Sequence, residues 1–335
     1  MHFATLGMFI IDEFSILDEN GNHTTRTLAP QIGGGGTYAS IGARVWLPPS
    51  QVGMIIDKGS DFPSSMESRL AEFGDEMWVY RNQPVGTTRA INTYRGDSRS
   101  FDYITPRIRI TPKDLEGTRL EKPTTLHFIC SPSRASAIMS EVQEIPAWNP
   151  TVIYEPIPDR CVPDELDPLV KVLPQVHILS PNAEEALGLL SLPLPPSRDL
   201  IEEAARKFLG LGVGVEGKGC VIIRSGSMGA CVAKRDEAPR WIPAFWTSKD
   251  ADRIVDVTGA GNSFLGGLAA GLLLENGDVY QATFYASVAA SFIIEQAGLP
   301  IVAVTDGSTR WNGDNPERRL NELRTRQAES NESQD

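Results

Sequence analysis

Four short, largely apolar runs, each closed by turn-forming residues, constrain this chain more than any other feature. Leu126-His127-Phe128-Ile129-Cys130 meets Ser131-Pro132-Ser133 and then a helix-like stretch from Ala135 to Val142. Val152-Ile153-Tyr154 stops at Glu155-Pro156. Val176-His177-Ile178-Leu179 meets Ser180-Pro181-Asn182 before a helix-like Ala183 to Leu190, and Cys220-Val221-Ile222-Ile223 leads to Ser225-Gly226-Ser227. Continuous apolar runs of this length suit strands buried on both faces. Alternating with helices, they predict an α/β fold with a mainly parallel central sheet, whose functional groups gather at the carboxyl ends of the strands.

Two regions break the rhythm. Residues 15–32 and 78–110 are more polar and alternate, as in Thr87-Thr88-Arg89-Ala90-Ile91-Asn92-Thr93-Tyr94. Such patterns suit antiparallel strands with one wet face, here a small antiparallel β lid over the site. One domain is expected over 1–309, followed by a polar, charged tail at 310–335 that reads as a frayed helix or disordered segment. No internal repeat is present.

At 335 residues, 41% hydrophobic and 22% charged, the chain can bury a large core. A net charge of −12 argues against nucleic acid or anionic membrane as partners. Cys130, Cys161, Cys220 and Cys231 lack any C-x-x-C pair, so neither a disulfide framework nor a zinc site is indicated. His127 and His177 sit inside apolar runs and read as core histidines. No signal peptide is evident, and the longest apolar segment, Phe264 to Leu274, falls short of the ~20 residues a bilayer span needs. A cytoplasmic protein is expected.

The strongest chemical signal is Asp256-Val257-Thr258-Gly259-Ala260-Gly261-Asn262-Ser263-Phe264, which opens into the apolar run Leu265 to Leu272. A Gly-Ala-Gly turn leading directly into a helix presents unpaired N–H groups at the positive end of the helix dipole, an anion site. Packing alone would explain Gly266, Gly267 and Gly271, but not this corner. Gly33-Gly34-Gly35-Gly36 precedes a small-residue helix from Ala39 to Val45 and allows close approach of backbone to ligand; a flexible linker is the bland alternative. Gly7-Met8-Phe9-Ile10-Ile11-Asp12 reads as a strand ending in a carboxylate, either a hydroxyl acceptor or a solvated turn residue. Asn182, with Glu185 three residues on, is close to a capping box. Gly212-x-Gly214-x-x-Gly217 has the spacing of a dinucleotide fingerprint but precedes a strand, and Gly217-Lys218-Gly219 is not a Walker A sequence.

In this order the motifs resemble the ribokinase-like (pfkB) family of carbohydrate kinases, whose signature reads roughly D-T-x-G-A-G-D-x-F. Within it the chain resembles a fungal, maintenance-of-killer-like branch. The resemblance implies a three-layer fold, ATP and Mg²⁺ as cofactors, and a small-molecule sugar or nucleoside as phosphoryl acceptor. It assigns Asp12, Gly34 and Gly35 to the acceptor, and Gly259, Ala260 and Gly261 to the anion hole. Asn182 and Glu185 would hold Mg²⁺ through water; Ser225, Gly226, Gly229 and Asp256 would serve the nucleotide. Ala286 to Ser291 resembles the helix flanking adenine. K⁺ near Asp256 and a homodimer through the lid strands are further implications. Two departures stand out. The family's Asn after the glycines is missing, with Tyr38 or Ser40 in its place, and Asn262 occupies the position of the catalytic base.

An Asn amide accepts no proton at neutral pH, though its oxygen can orient a hydroxyl. Losing a general base costs on the order of 10²–10⁴ in rate. From a typical kcat of ~10 s⁻¹, about 0.001–0.1 s⁻¹ survives. The sequence therefore predicts a slow ATP-dependent carbohydrate kinase, with an inactive nucleotide- or sugar-binding scaffold as the alternative.

Overall fold

The computed structural model describes the chain except residues 26–27, 96–97, 306 and 333–335. Its strands, in chain order, are Phe3–Thr5 (β1), Ile10–Leu17 (β2), Gln31–Gly33 (β3), Val52–Lys58 (β4), Trp78–Asn82 (β5), Arg89–Arg95 (β6), Ser98–Tyr103 (β7) and Thr125–Cys130 (β8). Thr151–Pro156 (β9), Ile178–Leu179 (β10), Cys220–Arg224 (β11), Ala230–Lys234 (β12), Arg240–Ile242 (β13), Val302–Thr305 (β14) and Ser308–Trp311 (β15) follow. The α-helices are Gly35–Arg44 (α1), Ser64–Ala71 (α2), Pro132–Glu144 (α3), Leu166–Val172 (α4), Ala183–Leu189 (α5), Arg198–Gly210 (α6), Ala260–Leu274 (α7), Val279–Ile293 (α8) and Pro316–Glu332 (α9).

The central sheet runs β13-β12-β11-β10-β9-β8-β1-β4-β5. Every neighbouring pair from β11 to β5 is parallel, and β12 and β13 close one edge antiparallel. Strand β11 shows why its apolar run is continuous. Cys220 and Ile222 enter the core beneath α1, α7 and α8, while Val221 and Ile223 enter the core beneath α3 to α6. Successive side chains point to opposite faces, and both faces are covered. Helix layers on either side make this a three-layer α/β fold.

Helix α7 is apolar all round because it is enclosed: α1 crosses its first turns and α8 packs along it. Contact this close needs glycine. A Cβ on Gly266 would lie 1.8 Å from the Ala39 carbonyl oxygen, and one on Gly42 would lie 2.0 Å from that of Ser263. These contacts place the α7 N-terminus beside that of α1, above the carboxyl ends of the strands.

The lid is a four-stranded sheet, β3-β2-β6-β7, with antiparallel outer pairs and a parallel β2–β6 pair between them. Residues 26–27 and 96–97 of the expected lid segments lie outside the described residues. Three expectations need correction. Gly7–Asp12 is not one strand: β1 ends at Thr5, and Asp12 is the third residue of the lid strand β2. Segment 78–110 is divided, because β5 pairs parallel with β4 in the central sheet, where Trp78 is buried and donates from its ring N–H to Leu70 O at 2.8 Å.

The third correction concerns 310–335, which is no loose tail. Trp311, Leu320 and Leu323 are fully buried, and Arg319 is 3% exposed. The Arg319 guanidinium pairs with Glu295 at 2.7 Å and Asp314 at 2.8 Å, donates to Ser291 Oγ at 2.9 Å, and lies 3.9 Å from the Phe292 ring centre. Polar composition concealed a helix docked by two leucines and one arginine. Residues 333–335 lie outside the described residues.

Candidate active site

The corner Thr258-Gly259-Ala260-Gly261-Asn262 separates two cavities. One, of about 640 Å³, is lined by Asp12, Gly34, Gly35, Tyr38, Thr258, Gly259 and Asn262, with lid residues, Arg107, Ile129 of β8 and the loop after β9 completing it. The other, of about 310 Å³, is lined by Asn182, Arg224, Ser225, Gly226, Gly229, Ala260 and Gly261, with Phe245, Trp246, Ser287, Ala290 and Ser291 as its wall. Eleven of the thirteen sequence-predicted site residues thus face one cavity or the other. Glu185 lies behind Asn182, and Asp256 sits in the loop before the corner, where its Oδ1 accepts the Thr258 N–H at 2.9 Å.

Local geometry explains the corner. Gly259 has φ +80°, and a Cβ there would lie 2.3 Å from the Tyr38 ring, so only glycine turns the chain into α7 at this point. Ala260 N donates to Val257 O at 3.2 Å, which removes it from the expected anion hole. The N–H groups of Gly261 and Asn262 have no acceptor among the described residues. They are the donors left for an anion. Across the turn from β11 to β12, Gly226 and Gly229 both have positive φ and keep side chains out of the smaller cavity.

Beneath the corner lies a buried charge network whose arrangement the sequence reading did not reach. Asn262 Nδ2 donates to Glu155 Oε2 at 2.7 Å. Glu155 Oε1 meets Arg224 Nη2 at 2.8 Å, and His127 Nε2 stands 3.4 Å from Glu155 Oε2. The bridge from Asn182 to Arg224 extends the sheet by one residue and brings Glu185 Oε2 to 3.6 Å from the same guanidinium. Glu155 is 4% exposed. Burial acts to raise its pKa, but the Arg224 charge, then His127 and Asn262, hold it below the ordinary carboxylate value. The carboxylate fixes the amide orientation at 262, since an oxygen facing it at 2.7 Å would be repelled. Asn262 therefore presents only Oδ1 as a spare acceptor.

The signals for this network were local and separate. Glu155 closes an apolar strand, and Arg224 is the one charged residue ending another. Only the parallel neighbourhood of β9, β10 and β11 joins them.

The Asn182–Glu185 pair is a complete capping box. Glu185 Oε2 accepts from Asn182 N, Glu185 Oε1 accepts from Asn182 Nδ2, both at 2.7 Å, and Asn182 Oδ1 accepts from Glu185 N at 2.8 Å. With the Arg224 guanidinium already against this carboxylate, the pair fits a fixed cation of the protein rather than Mg²⁺. A dication within water-mediated reach of Glu185 would lie beside a like charge. The expected Mg²⁺ role of Asn182 and Glu185 is not supported by this geometry.

Burial, opposed by Arg224 and reinforced by Glu155, pushes the Glu185 carboxyl up to about 7. A raised folded-state pKa contributes stability that is complete below the unfolded value of 4.5 and lost as pH rises through about 7. Glu185→Gln removes the titration and gives up one capping bond, because its Nε2 would face an Asn182 donor where a carboxylate oxygen accepted, a loss that does not vary with pH. Between pH 4.5 and 8 the variant should gain up to about 3 kcal/mol relative to the wild type. Urea unfolding at both ends of that range checks it; an unchanged difference between the two proteins counts against the assignment.

Comparison with known proteins agrees with the fold. Residues 111–304 match the model of the family described as pfkB family carbohydrate kinase. An uncharacterized protein of Schizosaccharomyces pombe is 33% identical over 96% of this chain and 92% of its own length. Protein MAK32 of Saccharomyces cerevisiae is 31% identical over 92% of this chain and 88% of its own. Among solved structures, Arabidopsis thaliana ribokinase complexed with ribose and ATP aligns with a TM-score of 0.64 at 19% identity, covering 89% of this chain and 94% of that one.

Proposed function

Because the chain belongs to the pfkB family of carbohydrate kinases, we propose that it binds a nucleoside triphosphate in the smaller cavity and a hydroxyl-bearing sugar or nucleoside in the larger. Phosphoryl transfer between them is slow. The observation that carries this reading is the Asn262–Glu155 hydrogen bond at the corner where the cavities meet. The corner donors supply fixed positive potential for the phosphates, while Arg224, which lines the same cavity, has its charge shared with Glu155 and Glu185. Ser287, Ala290 and Ser291, with Trp246, line the part of the cavity that would take the nucleobase. Asp12 is placed to accept from acceptor hydroxyls, and Asn262 Oδ1 can orient the attacking one. Glu155, the carboxylate in contact with Asn262, is not available as a base: it lines neither cavity, and its charge is committed to Arg224.

The same bond favours a second reading, an inactive binding protein on the kinase fold. Calorimetry with ATP and a sugar and nucleoside panel, paired with a turnover assay, separates the two. Binding with turnover of about 0.001–0.1 s⁻¹ supports the slow kinase. Binding with no turnover supports the scaffold. No heat at millimolar ATP, or brisk turnover near ~10 s⁻¹, removes the proposal. A homodimer through the lid, whose β7 leaves Phe101 half exposed, belongs to the same proposal.

A further inference from the structure

The larger cavity continues into a smaller one of about 160 Å³, and the two differ in charge. Asp12, Asp102 and Asp159 line the larger. Arg109, Arg134 and Arg160 line the smaller alone, and Arg107 and Asp159 line both. In a chain of net charge −12, four guanidinium groups around one small space need a reason.

Their partners do not provide it. Arg160 is neutralised by Glu165 at 3.3 Å and Asp159 at 3.9 Å. Arg107, Arg109 and Arg134 form no ion pair among the described residues. Arg107 stacks on the Tyr103 ring at 4.7 Å, and Arg134 Nη2 donates to Ile110 O at 2.9 Å, contacts that position the groups without cancelling their charge. Burial lowers the Arg134 pKa, with Arg109 adding to it and the more distant Glu141 and Asp114 opposing it. The N-terminus of the thirteen-residue helix α3 opens on the same space through its N-cap Ser131. Its dipole adds positive potential. Cys130, held protonated by burial, contributes no negative charge.

We propose that the phosphoryl acceptor is anionic, a sugar carrying a phosphate ester or a carboxylate, with its anionic end held by Arg107, Arg109 and Arg134. This rests on the reading of the larger cavity as the acceptor site and extends it to a substrate class. The acceptor then lies along a charge gradient. Its hydroxyls reach Asp12 and Asn262, and its anion is anchored at the far end, the kind of bipolar recognition that fixes orientation.

Calorimetry on the full chain compares ribose with its 5-phosphate ester, glucose with gluconate, and inorganic phosphate alone. The ester or the acid should bind at least about tenfold tighter than its neutral parent, with the advantage shrinking as salt rises. Arg107→Gln combined with Arg109→Gln, both exposed side chains, should erase most of that advantage and leave the melting temperature unchanged; Arg109→Gln alone, at a residue that lines only the smaller cavity, should weaken the anion and leave binding of the neutral parent unchanged. Whichever of the two anions gains more identifies the group. Equal affinity for parent and anion, an advantage that survives the double variant, or inorganic phosphate binding as tightly as the ester would overturn the inference while leaving the acceptor cavity in place. If ATP binds but no sugar does in any form, the acceptor reading itself fails and the inference with it.

Discussion

Asn262→Asp together with Glu155→Gln should raise turnover at least tenfold above the wild type, and by up to the ~10²–10⁴ that a positioned general base is worth. Asn262→Asp alone should not. The single substitution exchanges the Nδ2 donor for an oxygen against Glu155 Oε2, across a gap that is now 2.7 Å. Two carboxylates that close, one of them buried, cannot both ionise; Arg224 keeps Glu155 charged, so the proton settles on residue 262 and the new acid is no base. The paired change moves one negative charge by one hydrogen bond and leaves the charge of the cluster as it was. Arg224 keeps a carboxylate nearby, and the amide introduced at 155 can donate to the acid at 262. ATP consumption with sugar and sugar phosphate acceptors measures the effect, with melting temperature as the control for folding. A double variant that folds, binds ATP and still turns over at the wild-type rate would show that the lost acid is not what limits transfer. A single variant as active as the double would show that Glu155 imposes no constraint.

The dependence of residue 262 on residue 155 marks where sequence reading stops. Strands β8, β9 and β11 were legible because apolar residues buried on both faces leave a continuous run, and the Gly259 corner because few structures need glycine on both sides of a helix start. The cavity assignments of Asp12, Gly34, Gly35, Ser225, Gly226 and Gly229 came from family resemblance, and the fold brings all six to the two cavities. What stayed hidden was of two kinds. Glu155, Arg224 and His127 lie on separate strands and become a unit only through lateral pairing, which leaves no periodic signal in the chain. Helix α9 was concealed by its composition: a helix that touches the core mainly through Leu320, Leu323 and the aliphatic and planar parts of Arg319 looks polar throughout. It matters to the site, since Arg319 donates to Ser291, which lines the proposed nucleotide cavity of about 310 Å³.

Arg224→Met is the substitution with the largest expected effect on stability, about 3–5 kcal/mol, the usual cost of stranding one member of a buried ion pair. Glu155 would keep only the Asn262 amide and His127 for company while remaining 4% exposed. Glu155→Gln with Arg224→Met should recover most of that loss, because a neutral pair of similar volume carries no desolvation penalty. Acid behaviour gives an independent check. Glu155 has a depressed folded-state pKa, so its stabilising contribution is present above the ordinary carboxylate value of 4.5 and disappears as pH falls through the folded value. The neutral double variant should therefore lose less stability than the wild type on acidification below about pH 4.5. Urea midpoints at neutral and acid pH for the wild type, the single variant and the double variant provide the measurement. An Arg224→Met protein within about 1 kcal/mol of the wild type would mean that the guanidinium does not hold the carboxylate in place, and the fixed-charge account of the corner would have to be abandoned with it.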